Sequence, residues 1–146
     1  MVRIPPPIWM FLFLAIAVGA GKLYPSLPVA HWPFLGIALA LAGICLGVWA
    51  FGLFRQEGTE LNPASETNRK LVIRGPYRFT RNPMYLGLVL LSLGIGVWTG
   101  ALFLFAVPVL VFAVANWVHI PFEEAKMRRQ FGSAFDDYVR AVRRWV

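Results

Sequence analysis

The sequence is poor in the residues from which soluble catalytic centres are built. Its single cysteine, Cys45, sits within an apolar run, which excludes an intrachain disulfide and a cysteine-based metal site within one chain. Histidine occurs only at His31 and His119, and there are just seven acidic residues. Charged residues make up 14% of the 146 positions, against 58% hydrophobic ones. A soluble domain this small has too little interior to hide so much apolar sequence. No Asp, Glu, Lys or Arg stands in the middle of a long apolar run, whereas a proton-coupled carrier or pump would keep one there.

What is present is four apolar runs, at residues 8–24, 34–54, 84–99 and 101–119. Each approaches the roughly 20 residues that cross about 30 Å of hydrocarbon as a helix. Helices suit lipid because they satisfy their own backbone groups. The pattern predicts an all-α integral membrane protein in a single domain, residues 1–146. Four transmembrane helices are expected, with a cytoplasmic loop at 55–83 and a cytoplasmic tail at 120–146 carrying a C-terminal amphipathic helix. The first run follows one arginine, Arg3, and is long for a signal-peptide core, so it is read as a span. Gly43 and Gly47 form a small-xxx-small pair suited to close packing within the chain. Pro108 is expected to bend the fourth run and free a carbonyl near Leu104.

The formal charge is +7. The basic residues flank the apolar runs, so they point to topology and anionic headgroups rather than to nucleic acid. With four spans, all of the 14 lysines and arginines except Lys22 fall on one side. That places both termini and the 55–83 loop in the cytoplasm.

Two polar stretches exceed what anchoring requires. The first, "RGPYRFTRNPMYLG" at residues 74–87, puts three arginines and two tyrosines at a helix entrance. Asn82 suits an N-cap and Pro83 a first helical position, while the free amides there attract a carboxylate or phosphate. The second, "IPFEEAKMRRQFGSAFDDYVRAVRRW" at residues 120–145, opens with Glu123 and Glu124. Paired acids also suit the first turn of an ordinary surface helix, and Trp145 with Arg143 and Arg144 suits a membrane interface. Gly132 is expected to break that helix. His119 precedes Glu123 by four residues, but Pro121 intervenes and no third ligand is in sight, so no metal site is expected.

Together, at this separation, the two stretches resemble the isoprenylcysteine carboxyl methyltransferase superfamily, whose relatives include the phospholipid N-methyltransferases. The resemblance covers residues 58–145, beginning at "GTELNP". It implies an integral membrane enzyme that uses S-adenosylmethionine. By the same resemblance, Tyr77, Arg81, Asn82, Pro83, Tyr85, Glu123 and Glu124 fall on the cofactor-binding motifs, and Arg81, Glu123 and Glu124 are the candidates for catalysis. Asn82 departs from the usual histidine of the motif; its amide can donate a hydrogen bond but carries no charge. The cofactor's chemistry agrees: Arg81 and helix amides suit its carboxylate, and a glutamate suits its diol or ammonium. Tyr77, Tyr85 or Trp117 suits its sulfonium. The implied partner is a lipid or hydrophobic small-molecule acceptor, a carboxylate or amine, reached in a bacterial inner membrane. Two other readings stand beside it: a membrane NADPH-dependent reductase of the sterol-reductase type, and a non-catalytic four-span subunit.

The charge distribution generates a topological prediction. Reporter fusions at the C-terminus and within residues 55–81 should report cytoplasm, and one at Ser26 the opposite side. An externally active C-terminal fusion would show that the number of spans is odd.

Overall fold

The computed structural model describes residues 4–24, 29, 31–56 and 71–146. Arg3, Ser26, the "GTELNP" stretch at 58–63, Arg69 and Lys70 lie outside the described residues. Everything regular among the described residues is helical. Helices α1 (Pro6–Leu23), α2 (Pro33–Gln56) and α3 (Pro83–Thr99) each open with proline at the first turn. A backbone N–H has no helical partner there, so proline costs nothing and presets φ. A single 3₁₀ turn, Gly75–Arg78, precedes α3.

The fourth run is part of one continuous helical stretch, Leu102–Phe131, of 30 residues. It opens as a 3₁₀ turn (Leu102–Phe105), continues as α4 (Ala106–Val114), loosens into a π turn (Ala115–His119) and resumes as α5 (Ile120–Phe131). Pro108 falls in the first turn of α4, not mid-helix as its place in the run suggests. The π turn ends just before Pro121, whose missing N–H leaves a nearby carbonyl without its α-helical partner. At about 1.5 Å per residue the stretch is about 45 Å long. With Leu102 at one edge of about 30 Å of hydrocarbon, the last ~10 residues, from about Pro121 onward, project beyond the other edge. Glu123 and Glu124 are in that projecting part.

Pro6–Leu23, Pro33–Gln56 and Leu102–Phe131 are long and apolar enough to cross a membrane, while α3 is shorter at 17 residues. The outward faces match: Phe11 and Ile16 of α1, Phe34 and Val48 of α2, and Val109 of α4 are all exposed. In water such side chains would be a liability, but in lipid they are the solvated surface.

Packing between helices relies on near-absent side chains. The buried residues of α2 are Gly36, Gly43 and Ala50, seven apart on one stripe, facing α3. A Cβ on Gly43 would lie 2.5 Å from the Gly87 carbonyl oxygen, and one on Gly87 would lie 2.7 Å from that of Gly43. The two backbones are therefore in direct contact, and the small-residue pair serves packing within the chain. A second cluster, Met10, Ala17, Leu104, Val107 and Val111, joins α1 to α4.

After α5 the chain turns at Gly132, whose φ of +53° and ψ of −127° strongly favour glycine. Helix α6 (Ser133–Ala141) follows, burying Phe135 and Tyr138. It ends at Ala141: Val142 is extended (φ −127°, ψ 131°), and the final arginines and Trp145 form a non-helical strap.

Gly43→Ala should force α2 from α3 and destabilise the protein by about 1–3 kcal/mol, as overpacking does. Gly52→Ala, with nothing within 4 Å of its new methyl group, should be neutral or stabilising by up to ~1 kcal/mol. Thermal unfolding in detergent separates the two, and equal effects would contradict the close approach.

Candidate functional site

Three segments meet at one end of the helices: the 3₁₀ turn with the start of α3, the first turns of α5, and the C-terminal strap. The residues singled out from the two separated motifs converge there. Arg81 Nη2 donates to Glu124 Oε1 at 2.8 Å, both side chains being largely buried. Tyr85 Oη donates to Glu123 Oε1 at 2.6 Å. The two halves are thus in direct contact although 38 to 43 residues separate the partners.

The strap closes the third side. The Arg81 backbone N–H donates to the Arg143 carbonyl at 3.0 Å. The Thr80 hydroxyl (3.1 Å) and the Asn82 side-chain amide (2.9 Å) both donate to the Arg144 carbonyl. Arg81 Nη1 reaches the carbonyls of Val139 and Val142. Arg144 then grips Glu124 through Nη2 (2.6 Å) and Nε (3.1 Å). Trp145 donates to Asn116 Oδ1 at 3.0 Å and lies against Phe112 at 4.7 Å between ring centres. A non-helical segment leaves its carbonyls without helical partners, and the donors at 80–82 satisfy those of Val142, Arg143 and Arg144.

The structure corrects the expected Asn82 cap and places the other residues as follows. Asn82 occupies the N-cap position, but its side chain caps no helix amide; it is spent on the strap. Trp145 is half-buried and held in place by Asn116 and Phe112. Trp117 is exposed on the outer surface with its edge to Phe112, away from the cluster. Tyr77 is buried against Ala50, Val72 and Phe54, and its carbonyl accepts from the Tyr138 hydroxyl at 2.7 Å. Pro83 is fully buried at the start of α3. Sequence reading missed Thr80, Asn116 and Tyr138, and took Arg144 for a headgroup contact. Only the C-terminal position of Arg144 and Trp145 pointed to them, and that pattern is shared with ordinary membrane anchors.

The two glutamates have opposite electrostatics. Desolvation pushes the Glu123 carboxyl up to about 7, against a lowering by the Tyr85 hydrogen bond. Burial would raise Glu124 too, but hydrogen bonds and charge from Arg144 and Arg81 outweigh it and hold that carboxyl below its ordinary value. Glu124 is a fixed anion, whereas Glu123 can gain and lose a proton near neutrality. Burial also raises the Tyr77 phenol, which stays protonated. Among the described residues no group of His, Cys, Asp and Glu could hold a metal ion.

A family model described as phospholipid methyltransferase matches residues 32–134. No curated protein and no solved structure matches the chain. The matched span takes in the first motif and the Glu123–Glu124 end of the second, but neither α1 nor the strap.

The opposite shifts predict opposite pH slopes. A raised Glu123 stabilises the fold below its ordinary 4.5 and loses that contribution as pH climbs through about 7, at most ~3 kcal/mol. Glu124 contributes above the ordinary carboxylate range, and its contribution is lost as pH falls through its depressed value. Melting curves from about pH 2 to 8 should therefore lose their alkaline-side decline in Glu123→Gln and their acid-side decline, below the ordinary carboxylate range, in Glu124→Gln. Identical profiles for both variants would contradict the assignment.

Proposed function

The chain belongs to the phospholipid methyltransferase family, and on that premise we propose that it transfers a methyl group from S-adenosylmethionine to a lipid or other hydrophobic acceptor. The single observation that carries this reading is the Arg81–Glu124 contact at 2.8 Å, which joins the two motifs in one polar cluster. The residues suit such a cofactor by the chemistry of their donors. Arg81 Nε is buried and has no partner among the described residues, which leaves a cationic donor for a carboxylate. Glu123 offers an anion to an ammonium or a ribose diol, and Tyr77 and Tyr85 supply aromatic surface. On this reading Arg81, Glu123 and Glu124 carry catalysis, with Tyr77, Asn82, Pro83 and Tyr85 shaping the cofactor site.

The bound cofactor would supply an electrophilic methyl group on a sulfonium. The chain's own work is orientation, exclusion of water, and proton handling. Glu124 keeps Arg81 and Arg144 in place, so the cationic wall is preset before any ligand arrives. Asn82 holds the strap rather than a ligand, a role that needs a donor and no charge. This accounts for a working site without the histidine of the related motif. Glu123, poised near neutrality and fixed by Tyr85, is placed to take a proton from an amine acceptor; a carboxylate acceptor needs no base.

The topology proposed with this function has four spans, α3 being the short one, with both termini, the projecting part of α5 and amphipathic α6 at the cytoplasmic face of a bacterial inner membrane. Lysine and arginine distribution supports it. The cofactor then arrives from the cytosol and the acceptor from the lipid. The family match favours this over a nicotinamide-dependent reductase or a purely structural subunit.

In detergent, S-adenosylhomocysteine at a hundredfold excess over Kd should stabilise the protein by about 2–3 kcal/mol, and a nicotinamide dinucleotide should not. Arg81→Ala and Glu123→Gln should weaken that binding about tenfold or more, in line with loss of a charged hydrogen bond. Unaltered affinity in both variants would remove the proposed site, and stabilisation by the dinucleotide alone would favour a reductase.

A further inference from the structure

Beside the polar cluster lies a second feature, one wall of which, on α1, is outside the family match. A cavity of about 10 Å³ is lined by Pro6 and Trp9 of α1, Tyr85 of α3, Val111 and Val114 of α4, and Ala115 and His119 of the π turn. His119 is 0% exposed, and neither of its ring nitrogens has a partner among the described residues. Trp9 Nε1, also buried, has none either. Each such unpaired atom costs about 1–3 kcal/mol, and the two side chains that carry them line one cavity, which points to an occupant there. Neutral imidazole offers one donor and one acceptor, and the indole offers one donor. The π turn that carries His119 is a widening often found at functional sites.

Position says what the occupant is. Tyr85 lines this cavity with its ring, 6.1 Å from that of His119, while its hydroxyl binds Glu123 in the polar cluster. The rim residues Pro6, Trp9 and Val114 are only half-buried, so the cavity borders the surface between α1 and α4 that faces lipid. A volume near that of one water admits a single heteroatom group and not a chain.

We propose that the cavity between Trp9, Tyr85 and His119 seats the polar head of the acceptor, as a neutral group offering both a hydrogen-bond donor and an acceptor. An amine in its free-base form and a hydroxyl both qualify; an ether, an alkane or a cation does not. The occupant accepts from Trp9, exchanges a hydrogen bond with His119, and leaves its apolar chain in lipid. Its role as acceptor rests on the methyl-transfer reading, while the hydrogen-bonding seat rests on the cavity itself. Because α1 lies outside the matched residues 32–134, Trp9 makes the choice of acceptor a property of this chain.

The test uses the fact that the chain has only two histidines. Full-length protein carrying ¹⁵N-histidine is titrated in detergent with n-decanol, n-decylamine, decyl methyl ether and decane. Decanol or decylamine should shift the His119 ring nitrogens saturably and leave those of His31 unmoved, and whichever saturates identifies the head. Trp9→Phe should weaken that binding about fivefold, as expected for one neutral hydrogen bond. Equal response to all four probes, or a His119 ring that senses only a trapped water, would overturn the proposal. The titration of unaltered protein decides the matter even if the variant fails to fold. Stabilisation by S-adenosylhomocysteine on the same sample keeps the two ideas apart: present with a silent His119, it sinks this inference alone. Absent with a responsive His119, it sinks the methyl-transfer reading and leaves the binding seat standing.

Discussion

One guanidinium ties the polar end of this protein together. Arg81 stands where the chain enters α3, and it reaches a carboxylate on α5 and two carbonyls at the end of α6. A charge taken so far from water survives only when paired and hydrogen-bonded. Glu124 supplies the pairing, and the carbonyls of Val139 and Val142 accept from the same guanidinium. Arg144 completes the arrangement by binding the same carboxylate from the strap itself. Each component is there because another would be too costly to bury alone.

That mutual dependence has a chemical consequence. Because Glu124 is saturated by two arginines, it is held as an anion, and its neighbour Glu123 is left with a tyrosine hydroxyl. Adjacent residues of the same type are thereby driven in opposite directions, one permanently charged and one able to exchange a proton near neutrality. Such a division of labour suits a site that must both anchor a charged ligand and handle a proton. Tyr85 belongs to both regions, since it lines the cavity of Trp9 and His119 and its hydroxyl binds Glu123.

How far the sequence could be read depended on the kind of physics involved. The helices were legible because a lipid environment leaves an apolar run almost no alternative. The break at Gly132 was legible because glycine readily takes the positive φ found there, which side chains resist. The proximity of the two motifs was legible only through family resemblance, since nothing in local pattern says which loop meets which helix. Asn82 was misread for a related reason: an Asn-Pro pair at a helix entrance has the composition of a cap, and only the arrival of the Arg144 carbonyl diverted it. Arg144 and Trp145 suit an interface by composition, and only the fold shows that Glu124 and Asn116 also hold them.

The amino-acid sequence by itself determined the all-helical character, the apolar lengths and the glycine seam, because these follow from short-range chemistry and from the need to satisfy a backbone in lipid. Only the tertiary structure decided that Arg81 meets Glu124, that the last residues close over them, and that His119 is buried beside Trp9. Those outcomes depend on where separate segments arrive relative to one another. Hydrogen bonds between residues 20 to 64 positions apart leave no periodic trace in the chain.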